Sequence, residues 1–145
     1  MKYLNEVKIQ LESRSVNEGY ARLAVSSFAA QLDPTVEEIN DIKTSVSEAV
    51  TNCIVHAYKN KVGKIYITVR IFESSVVEIK IRDKGCGIEN IEQAMQPLYT
   101  SLGGDRAGLG FTVMENFSDR VKVRSKVNMG TTVTIIKKIK GRNAL

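Results

Sequence analysis

A chain of 145 residues has the length for one full hydrophobic core and little besides. Its 43% hydrophobic and 26% charged residues, with only two prolines, are those of an ordinary globular domain and exclude the disordered and low-complexity classes. The net charge of +5 gathers late in the chain; without interleaved aromatics or a helix-turn-helix pattern it argues against direct nucleic-acid binding, and no apolar run approaches the length of a membrane span.

The opening MKYLNEVKIQ alternates and carries charge, unlike a signal peptide. Cys53 and Cys86 make no disulfide framework, so a reduced, cytoplasmic setting is expected. EVKIQLES (6–13) places Val7, Ile9 and Leu11 on one side, the mark of a half-buried strand. Ser15 and Glu18 have capping-box spacing, which predicts a helix to about Leu32, where Asp33-Pro34 breaks it. Thr35 and Glu38 repeat the signal before a helix whose apolar residues run from Ile39 to Ala57, ending near Tyr58. The period then changes to two. KIYITVRIF (64–72) and VVEIKIRD (76–83) read as an antiparallel hairpin. A glycine turn, DKGCGI, leads to a short helix before Pro97, then a polar loop over 98–108 and a helix through GLGFTVMENF. RVKVRSK and TTVTIIKKI close the chain as a second hairpin around Asn128-Met129-Gly130. The order β-α-α-β-β-α-α-β-β predicts one domain over 1–145, an α/β two-layer sandwich with helices on one face of a mixed, largely antiparallel sheet.

The familiar nucleotide motifs are absent. Gly103 and Gly108 have Walker spacing, but Leu109 stands where lysine is required, and neither Gly85-Cys86-Gly87 nor Gly108-Leu109-Gly110 completes a dinucleotide fingerprint. Two Gly-x-Gly pairs remain. Asp83 directly follows a strand, where its carboxylate can accept from an exocyclic amine such as adenine N6, and Gly85 and Gly87 let backbone approach a flat ring. Gly108 and Gly110 precede a helix whose free N–H groups can cradle phosphate. Each feature alone equally describes a plain turn or helix start. On the second helix Glu48, Asn52 and His56 fall at i, i+4 and i+8. Asn52 can offer an oxygen to Mg²⁺, which takes few protein ligands, and Glu48 can serve as a base. The bland alternative has Asn52 and His56 satisfying buried backbone and Glu48 solvated. Cys53, His56 and Cys86 lack the spacing of a zinc site, and Cys53 lies on the apolar stripe.

Taken in order, ExxxN on a helix, DxGxG after a strand, GxG at a later helix and Gly-Thr in a last hairpin resemble the Bergerat-fold (GHKL) ATPases and kinases over residues 6–139. The stretches DPTVEEINDIKTSVSEAVTN, QPLYTS, GLGFTVMENFSD and NMGTTV narrow this to a resemblance to the anti-sigma serine kinases of spore-forming bacteria. The resemblance implies ATP and Mg²⁺ as ligands, a sigma factor and an anti-anti-sigma protein as partners, and a homodimer. By it Asn52 holds Mg²⁺, Asp83 reads adenine, Gly85 and Gly87 lie against the base, and Thr131 stands near the adenine. Gly108 and Gly110 meet the phosphates, Arg106 sits in a lid over 98–108, and Glu48 is the base.

The chemistry is consistent with that resemblance. A serine hydroxyl needs help to lose its proton, and Glu48 is placed to give it. A stress-response anti-sigma kinase, or a nucleotide-gated binding module without useful kinase activity, are the competing readings. For docking, a first helix burying Val16, Tyr20, Leu23 and Ser27 would present Arg22 outward among Gly19, Ser26, Ala29 and Ala30, a lone cation on a smooth face suited to an acidic partner. Lys122, Arg124 and Lys126 alternate with valines as the solvated face of a strand, or as a second basic patch.

Overall fold

A computed structural model describes residues 2–96 and 107–142. Strand β1 (Tyr3–Glu12) leads to helix α1 (Asn17–Ala29), extended by a 3-10 turn over Ala30–Leu32, and then to α2 (Val36–Asn52). The hairpin β2 (Lys64–Phe72) and β3 (Val76–Asp83) follows, then the short α3 (Ile91–Ala94) and α4 (Ala107–Asn116), and last the hairpin β4 (Arg120–Lys126) and β5 (Gly130–Lys138). The five strands lie in the order β1-β2-β3-β5-β4. The expected sandwich is present, but its sheet is not mixed: every strand pairing is antiparallel.

Alternation in the strands decides which side the helices cover. Ile65, Ile67, Val69 and Ile71 of β2, Val77, Ile79 and Ile81 of β3, and Val133 and Ile135 of β5 all point to the helical layer and are buried. They meet Ile42, Val46, Ala49 and Val50 of α2 and Phe111 and Met114 of α4 in one core. Burying a side chain of that size contributes about 1.5–3 kcal/mol, so this layer supplies most of the driving force. The opposite faces of β3 and β4 carry Lys80, Arg82, Lys122, Arg124 and Lys126, and on β4 the cations are exposed, as the alternation predicts.

The capping box at Thr35 forms in full. Thr35 Oγ1 accepts from Glu38 N at 3.0 Å, and Glu38 Oε1 accepts from Thr35 N at 2.9 Å. The one expected at Ser15 does not form. Helix α1 starts one residue later, with Val16 at its cap and no side-chain cap; Ser15 gives its carbonyl to Glu18 N, and Asn17 Nδ2 donates to Glu12 O. The buried side of α1 is also the reverse of the expected one. Ala21, Val25, Ser26 and Ala29 are buried, while Val16, Tyr20 and Leu23 are 79%, 57% and 58% exposed. The reason is steric. Small residues four apart let α1 lie close against α2 and the sheet, where larger ones would hold the layers apart.

Candidate nucleotide site

The inward row of β3 runs Val77, Ile79, Ile81, and its next member is Asp83, where the strand ends. A carboxylate therefore stands in a position that the pattern reserves for an aliphatic side chain, and it is only 5% exposed. It is well supplied with donors. Oδ1 accepts from Gly85 N at 2.9 Å and from Thr131 N at 3.2 Å, and Oδ2 accepts from the Cys53 thiol at 3.6 Å. Burial pushes the Asp83 carboxyl up from its ordinary value, against the pull of the Gly85, Cys53 and Thr131 hydrogen bonds.

The glycines after Asp83 are required by close approach. A Cβ on Gly85 would collide with the backbone of Ala57, and Gly87 has φ +75° with the Lys126 carbonyl against it. Gly130, at φ +120°, lets the last hairpin turn against the Asp83 carbonyl. Its neighbour Thr131 bonds Ser125 at 2.8 Å, and Ser125 Oγ accepts from Ile88 N at 2.7 Å. Ser125 went unread as a site residue. Its only sequence signal is a polar residue following Val121 and Val123 at the inward positions of β4.

Helix α2 supplies the facing wall, and it changes type there. After Asn52 the chain runs as a π-helix over Cys53–Ala57, with Tyr58 N bonded to Cys53 O at 3.1 Å. The last carbonyls of this helix find partners in the glycine turn: Cys86 N donates to Ala57 O, and the Cys86 thiol to His56 O. A wider turn rotates less per residue. His56 thus stays on the Asn52 side and lines the cavity.

A cavity of about 330 Å³ lies between these elements, within the range of small-ligand sites. Asp83, Asn52 and Thr131 give it polar points, and Ile88, Ala94, Phe111 and Val133 give it apolar walls. Asn52 Nδ2 is buried with no hydrogen-bond partner among the described residues. Such an orphaned amide calls for an explanation, and a ligand that completes its bonding is one. Glu48 is not a cavity wall. It lies one turn earlier on α2, and a Cβ placed on Gly110 would be 3.1 Å from its Oε2 and within 3.4–3.5 Å of the Asn52 amide.

Gly108 and Gly110 belong to the first turn of α4, which begins at Ala107, whereas the sequence placed them just ahead of the helix. The N–H groups of the helix's first turn thereby stand near Glu48 and Asn52, at the end that favours anions. Arg106 and residues 98–106 of the expected lid lie outside the described residues. The structure thus brings Asn52, Asp83, Gly87 and Thr131 to one cavity, with Glu48 and Gly110 at its edge, while Gly85 is packed against the Ala57 backbone and is not one of its walls. Arg22 lies on α1, apart from it.

The Histidine kinase-like ATPase domain family model matches residues 10–137. At full length the chain is 54% identical over 144 residues to the Anti-sigma F factor of Caldanaerobacter subterraneus subsp. tengcongensis, covering 99% of each protein. The chain belongs to the anti-sigma F factor family. Members from Anoxybacillus flavithermus and Priestia megaterium are 52% and 49% identical, each with 97% of both chains covered. The fold is shared more widely. The structure of the RsbU and RsbW domains of a Mycobacterium tuberculosis protein superposes with a TM-score of 0.69 at 18% identity, covering 93% of this chain and 32% of that one. A blue-light activated histidine kinase domain from Erythrobacter litoralis gives 0.58, also at 18% identity, covering 85% of this chain and 61% of that one. The ATPase-domain match implies that the chain binds ATP. No described helix is long and apolar enough to cross a membrane.

Proposed function

We propose that this chain is an ATP-dependent serine kinase of an anti-anti-sigma protein and also sequesters a sporulation sigma factor. One observation carries the nucleotide half of the reading: a buried carboxylate, Asp83, ends an aliphatic row and lines a ligand-sized cavity. In this reading Asp83 accepts from the 6-amino group of adenine, with Gly85, Gly87 and Thr131 shaping the base site. The first turn of α4, with Gly108 and Gly110, receives the phosphates. Asn52 is the residue that would hold Mg²⁺, which when bound neutralises phosphate charge. Arg106 would add a further cation at the γ-phosphate. Glu48 takes the proton of the incoming serine hydroxyl.

Full-length identity near 50% with anti-sigma F factors supports sigma-factor capture. The test is a pull-down in ATP and in ADP, with captured proteins identified, followed by transfer of labelled phosphate to a serine of the small partner. Nucleotide-dependent capture without transfer would leave a gated binding module. Capture of a stress-type sigma factor would leave the chemistry and change the pathway.

The Asn52 role has its own measurement. Asn52→Ala should lower Mg²⁺-dependent ATP affinity at least about tenfold, the scale of one lost charge-assisted contact. Binding without Mg²⁺ should change much less, so titrations with and without the metal check it.

Partner docking is placed on α1. Arg22 is half-buried and paired with Glu18 at 3.7 Å, on a different side of α1 from the exposed Val16, Tyr20 and Leu23. The smooth face first expected around Arg22 does not form, since Ser26 and Ala29 are buried, but Arg22 is the one cation of α1 and still suits an acidic partner. Arg22→Glu sets two carboxylates one turn apart. It should reduce partner capture about tenfold or more while ATP affinity and Tm stay close to wild type. Unchanged capture would move the docking face elsewhere. A homodimer belongs to the same proposal, with the edge strand β1 and its exposed Tyr3 and Leu4 as the face a second copy would cover. Light scattering reads that directly.

A further inference from the structure

The two oxygens of Asp83 are held by different kinds of donor. Backbone N–H groups of Gly85 and Thr131 converge on Oδ1, so the chain path fixes that atom whatever side chains surround it. Oδ2 receives one contact among the described residues, the Cys53 thiol at 3.6 Å, within the longer reach of sulfur. Cys53 is buried and lines the same cavity as Asp83. It sits where α2 passes into the π-helix, a backbone feature that sets its side chain against the end of β3. Burial and the neighbouring Asp83 charge hold the thiol well above its ordinary pKa, so its proton stays in place to be donated. A carboxylate oxygen has two lone-pair sites, and with one engaged by the thiol, the other remains for a ligand.

We propose that Cys53 is a positioning residue for base selection: its thiol orients Asp83 Oδ2 so that the remaining lone pair meets the 6-amino group of a purine and rejects a 6-oxo purine. This rests on the reading of the cavity as an ATP site. A 6-oxo base presents an acceptor to the carboxylate, two acceptors face each other with no proton between them, and the mismatch is costly when the carboxylate cannot turn away. Removing the thiol leaves Oδ2 free to swing, which lowers affinity for the amine and relaxes rejection of the oxo group. A residue that merely filled space would change both affinities together.

The experiment measures ATP and inosine triphosphate affinity calorimetrically, under reducing conditions, for wild type, Cys53→Ala and Cys53→Ser. Wild type should prefer ATP by about tenfold or more. In Cys53→Ala that preference should shrink about three- to tenfold, the scale of one weak hydrogen bond, and Cys53→Ser, which keeps a donor, should restore most of it. A wild-type ratio in Cys53→Ala, with only Tm lowered, overturns the proposal and leaves Cys53 as packing. Should alanine not fold, Cys53→Val fills the space without a donor and is compared with serine by the same ratio. Loss of all preference in the wild type itself would overturn the ATP reading, a different outcome from failure of the cysteine.

Discussion

Asp83→Asn should bind ATP at least about tenfold more weakly than wild type, because a hydrogen bond to a charged group contributes about 1.5–3 kcal/mol. The structure dictates how the asparagine would sit. Gly85 N and Thr131 N both donate to Oδ1, so the carboxamide must turn its oxygen to them. Its NH₂ then occupies the place of Oδ2, presenting donors both to the Cys53 thiol and to the adenine amine. Acceptance is lost by geometry as well as by charge. The fold should tolerate the change, since a buried carboxylate whose pKa is raised by desolvation is itself costly. The same upward shift gives a pH signature. The accepting anion is lost as pH falls through a value above that of an exposed aspartate, so ATP affinity should weaken sooner on acidification than phosphate titration alone requires. Calorimetry of both proteins across the acid range checks this, and unchanged ATP affinity in Asp83→Asn would remove the centre of the reading.

What the sequence disclosed and what it hid divide by the range of the interaction. The strands and their inward faces were legible because alternation is a local code, and Asp83 was legible as a carboxylate directly after a strand, though not as the next member of its inward row. Thr35 and Glu38 were legible because both partners of the box lie within one turn of helix. Ser15 and Glu18 have the same spacing, but there the chain starts its helix at Asn17 and Asn17 bonds back to Glu12, so a tertiary turn overrode the local signal. The buried side of α1 failed for a related reason. Hydrophobicity ranks Val16, Tyr20 and Leu23 above Ala21 and Ala29, yet the distance between layers selects for small size. The π-helix at Cys53–Ala57 left no periodic trace, because what stabilises it is the docking of Cys86 on the His56 and Ala57 carbonyls, about thirty residues away. That segment carries both Cys53 and His56. The least legible backbone is therefore also what places two of the cavity's side chains.

The other large effect is kinetic. Glu48→Gln should bind ATP almost normally, because Glu48 stands outside the cavity wall formed by Asn52, Asp83 and Thr131. Its place is nonetheless fixed. It precedes Asn52 by one turn of α2, with Gly110 of the opposing α4 approaching so closely that an added methyl would lie 3.1 Å from Oε2. The carboxylate is thus next to the helix end that would receive the phosphates, where an incoming hydroxyl must arrive. In phosphoryl transfer most of the catalytic effect comes from positioning and electrostatics, and a base contributes about 10²–10⁴ in rate by taking the proton of the nucleophile. Glutamine keeps the length and planarity of glutamate and cannot accept that proton at neutral pH. Single-turnover transfer to the partner's serine should therefore slow about a hundredfold or more, with sigma capture and ATP affinity preserved. Gly110→Ala offers a second approach to the same group: it crowds Oε2 without altering its charge, and should slow transfer less than Glu48→Gln does. Wild-type transfer by Glu48→Gln would mean that the hydroxyl loses its proton without this carboxylate.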